Sequence, residues 1–76
     1  MNKAMSKYLK ALTQRTKLAR VNYAKGRGID AWKQYFDSLS AIQYVMIYDT
    51  EITSIEFNTF LKLCGKKLKE FDKYYL

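Results

Sequence analysis

No proline occurs anywhere in the 76 residues, so a helix in this chain can be stopped only by glycine, by a capping side chain or by a change in apolar pattern. Such signals collect in two places, at Gly26 to Gly28 and just before Thr53. Three helices result, at about residues 3–25, 31–48 and 54–74. The short connections between them favour antiparallel neighbours, which predicts an all-α fold: a small three-helix bundle in a single domain over residues 1–76.

In the first segment Met5, Leu9, Leu12, Thr16, Ala19 and Tyr23 recur at alternating spacings of four and three, which places them on one stripe of a helix. Gly26 is its natural stop, because glycine takes the left-handed conformation without a Cβ penalty. Asp30 is placed to cap a second helix by accepting bonds from its free amides. Trp32, Phe36, Leu39, Ile42 and Met46 form the stripe of that helix. Tyr44, Val45 and Tyr48 fall off this stripe, as expected of a central helix or one with an oligomer contact. Residues 44–48 also read as a strand by β propensity, but period and length favour helix.

Thr53 followed three residues on by Glu56 is a capping box, and Ile52 with Phe57 supplies the matching hydrophobic staple. The third stripe is Phe57, Phe60, Leu61, Cys64, Leu68, Phe71 and Tyr75. Gly65 interrupts it at a cost of about 1 kcal/mol relative to Ala, and a continuous helix is still expected.

Hydrophobic residues make up 49% and aromatics 16% of the chain, which is enough for a packed core and too much for a disordered segment. The lone Cys64 allows no internal disulfide, and without histidine the usual zinc sets are missing, so neither a metal nor a cofactor is expected. A free thiol fits a reducing cytoplasm. Lys7, Lys10, Gln14 and Arg15 break up the amino end, so no signal peptide is readable there. The longest apolar run is Tyr44 to Tyr48, far short of the roughly 20 residues of a membrane span. Asn2 and the closing Tyr74-Tyr75-Leu76 carry no lipidation signal.

Charge is segregated. Residues 1–29 hold eight basic side chains and no acid, whereas the remaining 47 residues hold six basic and seven acidic ones. A field of one sign on one element attracts an anionic partner, whereas mixed charge mainly keeps a surface soluble. Lys3, Lys7, Lys10, Arg15, Lys17, Arg20, Lys25 and Arg27 are therefore the candidate nucleic-acid contacts. A solvated helix face would look similar, but no acid at i±4 offsets these charges. On the third helix Lys62, Lys66, Lys67, Lys69 and Lys73 are interleaved with Glu70 and Asp72, which reads as an ordinary soluble face.

Lys25-Gly26-Arg27-Gly28 lacks a P-loop pattern, and Asp30 beside it would repel an anion, so it reads as a plain turn with Arg27 as an accessory contact. Trp32 and Cys64 are expected in the core. Tyr8, Tyr44, Tyr48 and Tyr74 are the aromatics expected at the surface, and Tyr44, Val45, Tyr48 and Tyr74 are the candidate protein interface. With Leu63 they give more apolar surface than a small bundle needs.

Asp37, Asp49, Glu51, Glu56, Glu70 and Asp72 all have structural explanations as caps, loops or exposed faces, so no catalytic pair and no small-molecule substrate are expected. The leading expectation is a noncatalytic, cytoplasmic, nucleic-acid-binding protein with a regulatory role, held mainly by phosphate contacts. The spacing does not fit a compact helix-turn-helix. The alternative is a protein-binding inhibitor or adaptor whose basic face docks on an acidic or nucleic-acid-binding surface of a larger assembly. Its Lys, Tyr and Ile content fits an AT-rich bacterium, a phage or a mobile element. Homodimerisation is open on either reading. A membrane-surface helix is disfavoured, because Thr16 and Ala19 stand where bulky anchors would be needed.

Overall fold

The computed structural model describes residues 3–75, and side chains through Tyr74. Helix α1 runs Lys3–Asn22, α2 runs Gly28–Ile47 and α3 runs Ser54–Tyr75; a π-type turn, Tyr23–Arg27, joins the first two. There is no strand among the described residues, so the all-α expectation holds and residues 44–47 are helical, with Tyr48 as the cap. The molecule measures 39 × 18 × 17 Å, one helix long and two helices wide.

Met5, Tyr8, Leu12 and Ala19 of α1 meet Ala31, Tyr35, Leu39 and Met46 of α2, and Phe60, Cys64 and Phe71 of α3 complete the core. Phe60 and Ala31 are fully covered. Tyr35 touches Phe71 at a ring separation of 5.4 Å, and Tyr23 meets the same ring edge-on at 6.2 Å. These aromatic contacts tie α2, α3 and the π-type turn together at the end where α1 gives way to α2.

The expected stripes hold at Met5, Leu12, Ala19, Leu39, Met46, Phe60, Cys64 and Phe71, and α1 and α2 depart from them at neighbouring positions. Tyr8, expected at the surface, is only 5% exposed, while Thr16 and Leu9 are half-buried. Tyr8 can turn inward because its hydroxyl donates to Asp49 Oδ2 at 2.6 Å, so its polar tip keeps a partner. On α2, Tyr35 is buried and Phe36 is 43% exposed, the reverse of the expected stripe. Burying Tyr35 is tolerable because its hydroxyl lies 2.7 Å from Thr16 Oγ1, so the polar tip keeps a partner. Phe36 stacks on Trp32 at 5.4 Å, and Trp32 is half-buried rather than central. Its Nε1 is buried without an acceptor among the described residues. Leu63, expected at the surface, packs half-buried against the core.

The turn between α1 and α2 rests on glycine. Gly26 has φ 82° and Gly28 has φ 44° with ψ −116°, conformations that a Cβ disfavours. Helix α2 then starts at Gly28 with no side-chain cap, so Asp30 lies inside its first turn instead of capping it. The other connection follows its sequence signal closely. The Thr53 N–H donates to Glu56 Oε1 at 3.0 Å and the Glu56 N–H donates to Thr53 Oγ1 at 3.1 Å, satisfying amides that open α3. Ile52 and Phe57 both pack against the core, as the staple requires. Gly65 lies within an unbroken α3.

Candidate nucleic-acid interface

All eight cations of the amino-terminal region, Lys3, Lys7, Lys10, Arg15, Lys17, Arg20, Lys25 and Arg27, are exposed. No carboxylate lies within ion-pair distance of any of them among the described residues, where Lys67 and Glu70 make an ion pair at 3.8 Å. Helical geometry sorts the eight into groups. Lys3, Lys7 and Lys10 share a shallow depression with Ser6, Ala11 and Gln14, and Lys17 follows on the same outward side of α1. Arg15 faces a cleft toward α2 with Gln34 and Ser38. Arg20 faces the opposite cleft, toward α3, beside Thr16, Lys67, Glu70 and Tyr74. Lys25 and Arg27 extend from the glycine turn. The outward lysines form one group, whereas the two arginines diverge to either flank.

Lys7 is the most engaged of the cations. Its Nζ lies 4.8 Å from the centre of the Tyr8 ring, and the Tyr8 hydroxyl donates to Asp49 Oδ2 at 2.6 Å. The bond from Tyr8 holds the Asp49 carboxyl below its ordinary value, helped by the Glu51 N–H and by the nearby Lys7 charge. The same bond, with burial, pushes the Tyr8 hydroxyl up to about 12. This clasp fixes the start of α1 to the α2–α3 turn. Between residues 34 and 61 the chain carries Asp37, Asp49, Glu51 and Glu56 and no basic residue.

The candidate interface residues do not gather into one surface. Tyr44, Val45 and Tyr48 are 65%, 57% and 72% exposed at the end of α2, with the two tyrosine rings 5.6 Å apart. Ile47, 60% exposed, lies alongside them. Tyr74 is 73% exposed at the far end of α3, beside Arg20. Cys64 is buried, and that burial pushes its thiol up, away from the reactive thiolate. No group of three or more His, Cys, Asp or Glu is placed to hold a metal among the described residues, and no described helix is long and apolar enough to cross a membrane.

Lys62, Lys66, Lys69 and Lys73, expected as an ordinary soluble face, are exposed on α3. The i,i+3 and i,i+4 spacing allows Glu70 to pair with Lys67 or with Lys66; the folded side chains choose Lys67, and among the described residues no carboxylate lies within ion-pair distance of Lys66. Comparison with known protein families, curated proteins and solved structures returns no match to this chain.

Proposed function

We propose that this chain is a noncatalytic nucleic-acid-binding protein that grips phosphates through the outward cations of α1. The observation that carries this reading is the exposed, unpaired row Lys3, Lys7, Lys10 and Lys17 on a helix without a single acid. Repulsion along such a row opposes folding, and Lys3 sits at the positive end of the helix dipole. A polyanion relieves both penalties, and counterion release adds a driving force. Arg20 and Tyr74, together on the α3 side, offer one forked donor and one stacking surface to nucleic acid. A cytoplasmic, regulatory role belongs to the same reading.

Fluorescence anisotropy of a labelled duplex against the intact chain tests it. Binding should weaken steeply between 50 and 200 mM salt, and changing Lys7, Lys10 and Lys17 together to Gln should reduce the log–log salt slope by about three. Absent or salt-insensitive binding removes the reading.

A second reading rests on the exposed Tyr44, Val45 and Tyr48 cluster, since aromatics are enriched in interface cores. In it the chain is an inhibitor or adaptor that docks on a larger protein assembly. Pull-down of a stoichiometric partner that survives nuclease and is lost in Tyr48→Ala supports that role; recovery that vanishes with nuclease favours the first.

A further inference from the structure

Gly65 lies in the interior of α3 for neither of the usual reasons. Its φ is not positive, and a Cβ built there meets nothing within 4 Å, so neither backbone conformation nor packing within the chain requires glycine. In a helix interior it costs about 1 kcal/mol relative to Ala. What surrounds it is charge: Lys62, Lys66, Lys69 and Lys73, together with Glu70, line a shallow depression around Gly65. All four lysines are exposed. Glu70 is paired with Lys67, which does not line the depression, at 3.8 Å.

We propose that this face of α3 is a second polyanion-binding surface, in which the four lysines contact a phosphodiester backbone and the missing side chain at Gly65 lets that backbone approach the helix. Lys62 to Lys73 spans about 16 Å at 1.5 Å per residue, long enough to follow several charges of an extended polyanion. A single small anion would not need that length.

The second surface is separate from the first. The depression of Lys3, Lys7 and Lys10 lies beside the α2–α3 turn, where Tyr8 bonds Asp49. The α3 depression shares no lining residue with it, and touches the cleft of Arg20 and Tyr74 through Glu70. A strand that fills one surface leaves the other open, so one molecule holds two nucleic-acid segments together.

Two short duplexes carrying different dyes, mixed with the intact chain, report this directly by energy transfer. The wild-type chain should bring the dyes together, and excess protein should abolish the transfer by giving each duplex its own copies. Changing Lys62, Lys66, Lys69 and Lys73 to Gln should leave single-duplex binding in place, lower its salt slope by up to about four where α3 contributes, and eliminate energy transfer. Gly65→Ala separates structure from binding: its melting temperature should rise while energy transfer falls. A wild-type chain that binds one duplex but never two overturns the second surface and leaves the α1 reading standing. A chain altered at Lys7, Lys10 and Lys17 that still binds a duplex through α3 supports the second surface even where the α1 reading fails. Undiminished transfer in the fourfold variant or in Gly65→Ala overturns the proposal, as does equal binding of polyglutamate to the α3 face.

Discussion

The two connections between helices solve the same problem by different means. Between α1 and α2 the chain reverses through backbone conformations open to glycine, with no side-chain cap at the start of α2. Between α2 and α3 it reverses through side chains: Asp49 accepts from Tyr8 at 2.6 Å and from the Glu51 N–H at 2.9 Å, and Thr53 and Glu56 bond each other reciprocally. The lesson concerns availability. A turn made by backbone leaves Lys25 and Arg27 with no structural duty, whereas a turn made by side chains commits its polar residues to the fold.

The largest effect should come from the glycine turn. Gly28→Ala places a Cβ in a conformation that disfavours it and should cost about 2 to 3 kcal/mol, a large share of the roughly 4 to 11 expected for 76 residues. Gly26→Ala should cost about 1 kcal/mol, and Gly26→Asn less, because Asn tolerates the left-handed region. Asn at position 28 should bring no such relief. Denaturant unfolding of the four variants measures this, and equal costs at both positions would break the contrast between a left-handed site and a glycine-only one.

Next in size is the capping box, where Thr53→Ala should cost about 1 kcal/mol by the same measurement. Removing the Thr53 hydroxyl without loss would mean that the staple of Ile52 and Phe57 fixes the turn by itself.

Tyr8→Phe should have a smaller effect and a distinctive pH signature. The Asp49 carboxyl sits below its ordinary 3.8, so its contribution is present above that value and is lost as pH falls through 3.8 toward the lower folded-state value. Tyr8, raised from 10.0 to about 12, contributes fully below 10 and loses its contribution as pH rises toward 12. Melting curves of wild type and variant should therefore differ most between about pH 5 and pH 9 and converge at both extremes. A difference independent of pH would remove the clasp from the account.

The smallest effect on stability should come from Lys25→Gln with Arg27→Gln, within about 0.5 kcal/mol. Duplex affinity should fall in the same variant. A large loss of stability would show that these side chains do hold the turn.

How legible each element was follows from how local its cause is. The capping box and staple at residues 52–57 are complete within six positions, so the start of α3 was readable in detail. Helix α2 was misread by one position at Tyr35 and Phe36, because either line of residues gives an acceptable apolar stripe and Thr16, on another helix, supplies the partner that makes Tyr35 buriable. Tyr8 was misplaced for the same reason: Asp49, which bonds its hydroxyl, is 41 residues away. The α1 lysines were legible because no acid lies near them in sequence. Those on α3 were not, since local spacing gives Glu70 more than one partner and only packing selects Lys67.

Sequence by itself determined that three helices form, that α3 starts at its capping box and that the first 29 residues are purely cationic, because caps, period and charge act over a few neighbouring positions. Tertiary structure alone decided the exact rotation of α1 and α2, which put Tyr8 and Tyr35 inside and Phe36 outside, and which lysine Glu70 pairs with. Those outcomes depend on rotation of one helix against another, and the energies that set it come from residues far apart in the chain.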